Sequence, residues 1–303
     1  MFDAHTDRLR NRIDTMRRAV QSSDMVRNLL AEPSFDPSGL PQVNGHNSGQ
    51  WLRTYAPATV AWREFDHNAA LTALYAAYEC CIFDLLREWI GSIMPIKWPG
   101  YLTDLPDSTR RSYTVGVAKL IPKMGRSESS RYQHLNLRDV AQDFADAAAN
   151  KIPYRLHPDA FFTVDQNLRH GQLQELFNSV GLNDAWGWIC SHPLMVDYVD
   201  NVIGGANTLE KELDKFVQSR NEAAHGITGT YLGATVLEQL SHFAERLGIA
   251  LIEKARHDTC RHLVTVNKAE SLGVVTEVLR KANAVILTAT GNVRITIGES
   301  LAL

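Results

Sequence analysis

Apolar residues recur every three or four positions along most of the chain, which is the spacing that one face of an α-helix requires. The longest such pattern lies in residues 56–90, between two loops that contain glycine and proline. Its apolar positions are Leu71, Leu74, Tyr75, Tyr78, Ile82, Leu85, Leu86 and Trp89. We therefore predict a long helix with one face in the protein core.

The same periodicity, read together with helix-start and helix-stop residues, predicts further helices and a mainly α fold. They cover residues 3–31, 109–121, 137–149, 167–182, 192–200, 208–226 and 234–257. The sixth of these has clear ends, because Asn207 or Thr208 supplies an N-cap and Gly226 stops the helix.

The pattern changes after about residue 258, where short β-branched runs replace the helical spacing. The runs are HLVTV, GVVTEVL, AVILTA and VRITIG, and the turn-forming triplets KAN and TGN separate the later ones. In the last run Val293, Ile295 and Ile297 alternate with polar residues, which is the period of a strand. These runs predict a small β-meander or barrel.

Three parts are therefore predicted: an N-terminal helix and loop extension in residues 1–57, a helical domain in 58–257 and a small β domain in 258–303. The 303 residues are 45% hydrophobic, which is ordinary for a globular protein. The formal charge of −3 excludes a generally basic protein that coats nucleic acid, but it is compatible with a local basic groove.

The N-terminus and the cysteines predict a cytoplasmic location. The chain begins MFDAHTDRLR, without an apolar signal segment, and has no run of 18 or more apolar residues, so we expect no membrane span. No cysteines form a C-x-x-C pair, which argues against a zinc site or a disulfide framework. The four are Cys80, Cys81, Cys190 and Cys260. This usage is typical of a reducing cytosol.

Polar side chains interrupt the apolar stripe of the helix that ends at Gly226. Arg220 follows Phe216 by four positions and continues the stripe, as does Ala224, seven positions after Val217. Asn221 and His225 are four apart and are therefore neighbours on the helix surface. An arginine on an apolar stripe needs a partner, a water-filled cleft or a ligand. The earlier members of the stripe are Leu209, Leu213, Phe216 and Val217.

A structural explanation is also open for these residues. An arginine five positions before a histidine arises readily by chance, and the helix dipole stabilises a cation in the last turn before Gly226. Spacing alone therefore favours a structural role for Arg220 and His225.

The segment RNEAAH, Arg220–His225, has the R-N-x-x-x-H form that marks the HEPN superfamily of helical ribonucleases. The upstream segment ALYAAYECCIFDLL resembles the first core helix of these domains. The segment NLRHGQLQELFNSVGL, followed by LEKELDKFVQSRNEAAHG, resembles the RiboL-PSP-type HEPN branch in particular. The resemblance covers residues from about 58 to 250. It implies a HEPN-like helical bundle, to which the β-meander or barrel would be appended.

The resemblance implies a metal-independent endoribonuclease that acts as a homodimer and needs no cofactor. Two motif helices would meet across a two-fold axis and form one composite cleft. There, His225 from the two subunits could take the proton from the RNA 2′-hydroxyl and give one to the departing 5′-oxygen. Arg220 would stabilise the charge that develops on the phosphate, because a guanidinium is always ionised. Asn221 could hydrogen-bond His225 or the phosphate.

Three further residues are expected to support this site. Glu79, on the long helix, could orient Arg220, although a solvated glutamate is an equally good interpretation. Ala224 is small enough to let two helices approach closely. Glu222 lies inside the R-N-x-x-x-H motif and is the third residue expected to support the site.

Other candidate sites have weaker patterns. His67 fits a histidine that is satisfied within a helix, and RHDTCRHL, residues 256–263, lacks a fourth nearby ligand for zinc. No phosphate-binding loop pattern occurs. The first helix has a basic side that is either solvated or an RNA-backbone contact, formed by Arg8, Arg10, Arg12, Arg17 and Arg18.

Two classes of function remain open. The first is a ribonuclease that serves as a toxin or an antiphage, abortive-infection effector, with an antitoxin or regulatory protein as a further partner. The second is a non-catalytic HEPN module that binds RNA, nucleotide or a partner protein. The intact Arg220, Asn221 and His225 favour the first. The β domain has no aromatic residue from Leu263 onwards, so we expect it to dock a partner or regulate rather than read RNA.

Overall fold

The computed structural model describes residues 2–36, 40, 42–43, 46–124, 132–152, 155–163, 167–204, 208–226, 232–279 and 284–289. The chain divides into two compact units, Met1–Glu253 and Lys254–Leu303. The regular secondary structure described in the first unit is helical apart from one short antiparallel pair of strands, β1 (Gln42–Val43) and β2 (His46–Asn47).

Helices follow one another along the chain, and the mainly α prediction is confirmed. They are α1 Asp3–Ala31, α2 Ser48–Tyr55, α3 Thr59–Glu88, α4 Met94–Lys97, α5 Asp107–Met124, α6 Leu137–Ala148, α7 Pro158–Phe161, α8 His170–Ser179, α9 Ala185–Ser191, α10 Pro193–Tyr198, α11 Leu209–His225 and α12 Ala234–Thr265. Two of them, α3 and α10, continue into π-helical turns at Trp89–Ile93 and Val199–Ile203. A 3₁₀ turn, Leu102–Asp104, precedes α5.

The core helix of the first unit is α3, because its predicted apolar stripe is buried along its whole length. Every residue of that stripe, from Leu71 to Trp89, is at most 1% exposed. α11 packs on the stripe, where the Phe216 ring lies 5.8 Å from the Tyr75 ring and 6.0 Å from the Tyr78 ring, centre to centre. Tilted and edge-on ring contacts of this kind add to the stabilisation from apolar burial. They also fix the position of α11 relative to α3.

α1 packs along α3 through ion pairs as well as apolar contacts. His5 Nε2 lies 2.6 Å from Glu88 Oε2, and Arg27 Nη1 donates to Asp66 Oδ2 over 2.6 Å. The extension predicted in residues 1–57 thus begins with a helix of the same compact unit as α3. The domain boundaries themselves stay a prediction.

The end of α12 corrects one prediction, because the run HLVTV forms helix and not strand. α12 continues to Thr265. Its threonine hydroxyls are satisfied within the helix: Thr259 donates to the Ala255 carbonyl over 2.8 Å, and Thr265 donates to the Arg261 carbonyl over 2.9 Å. β-Branched residues lower helix propensity only slightly, so an established helix continues through them. The region predicted as a β domain therefore begins with helix.

Several short helices are not predicted by the sequence pattern, namely α2, α4, α7 and α9. A helix of one or two turns contains too few apolar positions to show a period. In α9 a tertiary contact fixes the structure instead, because the Trp188 indole N–H donates to the Ala250 carbonyl of α12 over 2.8 Å.

The second unit contains an antiparallel pair of strands, β3 (Gly273–Leu279) and β4 (Ala284–Ala289). Gly273 pairs with Ala289 at one end and Leu279 with Ala284 at the other, with an irregularity between Val275 and Glu277. Strands at GVVTEVL and AVILTA are thus confirmed. The fourth predicted strand, VRITIG, and the KAN and TGN turns lie outside the described residues.

One helical stretch in the described part of the chain is long and apolar enough to cross a membrane, judged by length and composition alone. It is α3 with its continuation, Thr59–Lys97, with a mean hydropathy of 1.5 in its most apolar window. More than half of that window, 56%, is buried inside the protein. A core helix has this composition too, so the structure is consistent with a soluble protein.

Candidate functional site

The motif residues lie on the last turns of α11, and the sequence sets both ends of this helix. Thr208 is the N-cap, and its hydroxyl oxygen accepts a backbone N–H of the first turn over 3.4 Å. Gly226 ends the helix in the left-handed conformation, with φ of 66°, which glycine adopts without strain. Leu213, Phe216 and Val217 are fully buried. The helix therefore presents Arg220 and the residues after it at a fixed place beside α3.

The Arg220 guanidinium is stacked on a ring and hydrogen-bonded along one edge. Its Cζ lies 4.6 Å from the centre of the Tyr75 ring, within the range of a cation–π contact. Its Nη1 donates to the side-chain oxygens of Asn167, over 3.1 Å, and Asn221, over 3.0 Å. Its Nε is buried without a hydrogen-bond partner, and among the described residues its Nη2 has none either. Nη2 is therefore the donor that a ligand could use.

Tyr75 is the platform beneath Arg220. Its hydroxyl accepts the Leu168 backbone N–H over 2.9 Å and donates to Glu79 Oε1 over 3.5 Å. Burial is the main cause that raises the pKa of Tyr75 to about 12; the Glu79 carboxylate also raises it, whereas the Leu168 N–H and Arg220 lower it. The ring therefore stays neutral at physiological pH and holds the cation by its face alone.

The role of Glu79 in orienting Arg220 stays a prediction. Within the described part of the chain no ion pair joins the two, and the hydrogen bond that Glu79 makes is with the Tyr75 hydroxyl. The side chain is half-buried rather than fully solvated. Glu79 therefore contacts Tyr75, the ring on which Arg220 is stacked.

Glu222, Ala224 and His225 form the exposed end of the motif. Glu222 accepts a hydrogen bond from the Gln218 side chain over 2.9 Å, on the outer face of α11. Ala224 was predicted on the apolar stripe, yet in the single chain it is exposed, and Ala223 is the buried alanine, at 6% exposure. The apolar stripe of α11 therefore extends to a position, Ala224, that no described residue covers in the single chain.

His225 is exposed on the last turn of α11, and in the residues that the structure describes it has no hydrogen-bond partner. The hydrogen bonds of Asn221 go to Arg220 and Asn167 instead of to His225. Arg220 and Asn221 are thus held together, whereas the imidazole of His225 at the end of the same helix is exposed.

Asn167 is the residue of this site that sequence analysis missed. It is half-buried, lies just before α8, and its Nδ2 donates to Asn221 Oδ1 over 2.9 Å. Its side chain therefore contacts both polar residues at the start of the motif. A single asparagine at the edge of a predicted helix gives no periodic or motif signal, so only the fold brings it to Arg220.

The sequence of residues 64–256 matches the family RiboL-PSP-HEPN, and the match covers more than half of the chain. It includes Tyr75, Asn167 and the whole of α11. The chain belongs to the RiboL-PSP-HEPN family. Membership of the HEPN superfamily generally implies an RNase-type or nucleotide-related function. No curated protein and no solved structure matches the chain.

The chain that follows the motif is tied back to the HEPN core helix by His67. This histidine is only 4% exposed, and its Nδ1 accepts the Leu232 backbone N–H over 3.2 Å. Burial lowers the pKa of His67 below the usual histidine value of 6.5, although the Glu222 carboxylate raises it in part. The sequence-based interpretation of His67 as a satisfied histidine fits this geometry. A cavity of about 410 Å³ lies beside it, between α1, α3 and the start of α12.

Replacing His67 with glutamine is expected to make the stability of this HEPN protein less sensitive to acid. His67 is neutral in the folded chain, so the unfolded chain binds its proton first as the pH falls below about 6.5. The free energy of unfolding then falls by up to about 1.4 kcal/mol for each unit by which the pKa is lowered. Glutamine can accept the Leu232 N–H without titrating. Urea unfolding at neutral and mildly acidic pH measures the effect, and equal acid sensitivity in both proteins would refute it.

Residues 256–263, whose sequence pattern argues against a zinc site, hold two histidines and a cysteine on α12. Among the described residues of the HEPN protein, no group of three or more His, Cys, Asp or Glu side chains is arranged to hold a metal ion. His257 Nδ1 lies 3.4 Å from Asp258 Oδ1 within α12.

Proposed function

We propose that this HEPN protein is an endoribonuclease that cleaves RNA through its own 2′-hydroxyl without a metal ion. The observation that supports this most is the arrangement at the end of α11. A guanidinium held by Tyr75 and Asn221, with its Nη2 free of described partners, lies on the same helix as an accessible imidazole, His225. These are the groups that acid–base cleavage of a phosphodiester requires.

The proposed reaction moves two protons and breaks one P–O bond. An imidazole takes the proton from the 2′-hydroxyl, whose oxygen attacks the adjacent phosphorus. A second group gives a proton to the 5′-oxygen as its bond to phosphorus breaks. The products are a 2′,3′-cyclic phosphate and a 5′-hydroxyl. Arg220 Nη2 stabilises the charge on the non-bridging oxygens, because a guanidinium is ionised at any physiological pH.

We propose that the enzyme acts as a homodimer with a composite site, so that His225 of two subunits supplies the acid and the base. Two features support this. α3 has an exposed face of small residues next to the Tyr75 side, formed by Ala69, Thr72, Ala73, Ala76 and Cys80. On α11, Ala224 continues the apolar stripe but is uncovered in the single chain. Small residues let two helices approach closely, and a two-fold axis pairs one surface with itself.

An EDTA experiment tests the proposed chemistry directly. We expect the purified protein to cleave RNA in the presence of EDTA and to leave 2′,3′-cyclic phosphate and 5′-hydroxyl ends, which end-labelling and mass spectrometry identify. Cleavage that EDTA abolishes and a divalent ion restores would contradict the metal-independent mechanism. RNA binding without any cleavage would instead support a non-catalytic HEPN module.

The biological role that we propose is a cytoplasmic toxin or antiphage effector. The HEPN family and the intact Arg220, Asn221 and His225 support it, because a cell must restrain a metal-independent ribonuclease. Expression of wild type beside His225→Ala in a bacterial host tests this role. Toxicity that persists in the variant would refute it.

The strands β3 and β4 are proposed as a docking or regulatory module. Val274, Val275 and Ile286 are 65%, 40% and 47% exposed, so this hairpin offers apolar side chains and strand edges to a partner protein. It offers no aromatic ring on which a base could stack.

Removing the residues after Asn267, beyond the end of α12, is therefore expected to leave cleavage of a generic RNA measurable while changing solubility or regulation. Cleavage and RNA binding of the truncated protein are measured beside those of the full chain. A truncated protein that stays folded and dimeric but no longer binds RNA would show that the tail reads the substrate.

A further inference from the structure

The segment that precedes α8 is anchored to both helices of the site. The Leu168 N–H donates to the Tyr75 hydroxyl over 2.9 Å, and the Tyr78 hydroxyl donates to the Leu168 carbonyl over 3.4 Å. Arg169 Nη1 lies 2.9 Å from Asp214 Oδ1 of α11. Leu168 is 1% exposed. These contacts fix the backbone that directly follows Asn167.

Asn167, Arg220 and Asn221 form a closed triangle of hydrogen bonds. Arg220 Nη1 donates to the oxygens of both amides, and Asn167 Nδ2 donates to Asn221 Oδ1 over 2.9 Å. The chemistry fixes the direction of each bond, because a guanidinium can only donate. Both amides must therefore turn their oxygens towards Arg220, which leaves the Asn221 NH₂ group pointing away from the triangle.

The Tyr75 ring alone cannot fix the direction of the guanidinium. Stacking sets the height and tilt of the planar group above the ring, but the attraction changes little when the group rotates within its own plane. Hydrogen bonds in that plane remove this freedom. Since both Nη1 protons are used by the triangle, Nη2 takes the one remaining orientation.

We propose that Asn167 is a positioning residue that holds Arg220 Nη2 and the Asn221 NH₂ group as a pair of donors for one RNA phosphate. The proposal rests on the proposed ribonuclease function. Asn167 itself does not touch the substrate. It fixes the rotation of the guanidinium and the orientation of the Asn221 amide before RNA binds, so neither group has to reorganise during the reaction.

The test measures kcat and KM of Asn167→Ala on an RNA oligonucleotide in EDTA. The expected result is a fall in kcat of about tenfold, the effect of roughly one charge-assisted hydrogen bond, with KM little changed. In the double variant with Asn221→Ala, Asn167→Ala should lower kcat much less than it does alone. The reason is that both residues act through one triangle of hydrogen bonds. Asn178→Ala is the matched control, since Asn178 is a half-buried asparagine of α8 that contacts Gln174.

Asn167→Asp keeps the proposal testable if the alanine variant does not fold. The carboxylate is nearly isosteric and can still accept from Arg220 Nη1, but it cannot donate to Asn221 Oδ1. We expect Asn167→Asp to fold like the wild type. We expect it to lower kcat when residue 221 is asparagine, but not in the Asn221→Ala background. Wild-type kcat in Asn167→Asp or Asn167→Ala, or effects of Asn167→Ala and Asn221→Ala that multiply in full, would overturn the positioning role.

Side-chain NMR separates this inference from the ribonuclease proposal. If wild type does not cleave RNA, the proposed function fails, but the triangle still predicts distinct resonances for the Arg220 Nε–H and the Asn221 NH₂ group. Asn167→Ala should shift both and Asn178→Ala neither. Resonances that do not change in Asn167→Ala would overturn the inference whatever the enzymatic result.

Discussion

His225→Ala is expected to lower the rate of RNA cleavage by about 10²–10⁴-fold, the usual contribution of general acid–base catalysis. Arg220→Ala should have an effect of similar size, because Nη2 of Arg220 is the donor proposed to stabilise the charge on the phosphate. Single-turnover cleavage of an RNA oligonucleotide in EDTA measures both. Gln218→Ala is the matched control, because Gln218 is exposed on the same helix and its side chain donates a hydrogen bond to Glu222.

The two variants differ in what they do to the fold. His225 is exposed and at the helix end, so its replacement should leave the thermal unfolding transition in place. Arg220 is half-buried against Tyr75, so Arg220→Lys is added as a variant that keeps the charge but loses the planar, in-plane contacts. A folded His225→Ala protein that cleaves at the wild-type rate would exclude His225 as acid or base.

The scaffold of the site follows from the sequence more directly than the site does. The α3 stripe repeats over eight apolar positions, so its period is unmistakable, and all of them are buried. The ends of α11 follow from local chemistry, since Thr208 caps the first turn and Gly226 adopts the left-handed conformation. Both signals are encoded within one helix and need no knowledge of the tertiary structure.

The partners of Arg220 could not be predicted, because they come from distant parts of the chain. Tyr75 counts among the apolar stripe residues, and nothing in that pattern shows that its ring face is open to a guanidinium. Asn167 lies outside any helix. The resemblance to HEPN domains implied that Glu79 could orient Arg220, and in the described structure Glu79 accepts a hydrogen bond from the Tyr75 hydroxyl instead of from Arg220. Which group reaches Arg220 depends on how α3, α8 and α11 pack.

Ala224 shows a related limit, because helical period predicts the direction of a side chain but not what covers it. The residue continues the stripe of Val217, yet no described part of the chain buries it. The HLVTV run shows the opposite case, in which a local β signal is overridden by the helix that precedes it.

Ala224→Trp is expected to weaken the proposed homodimer and to reduce cleavage together with it. An indole at this uncovered position would hold two α11 helices apart at the two-fold axis, and overpacking of a close contact costs about 1–3 kcal/mol or more. Ala76→Trp on the exposed face of α3 should act in the same way. Ala145→Trp places the same bulk on an exposed position of α6 and is the matched control.

Light scattering and cleavage assays across a range of protein concentration distinguish a dimerisation defect from local damage to the site. If the substitution acts on assembly, the activity of Ala224→Trp should recover as concentration rises, because mass action restores the dimer. Activity per chain should then depend on the fraction of dimer in the same way in the wild type and in Ala224→Trp. One histidine per chain cannot readily serve as acid and base at once, so the separated subunits should be nearly inactive. A monomeric mass at micromolar concentration in fully active wild-type protein would exclude the composite site.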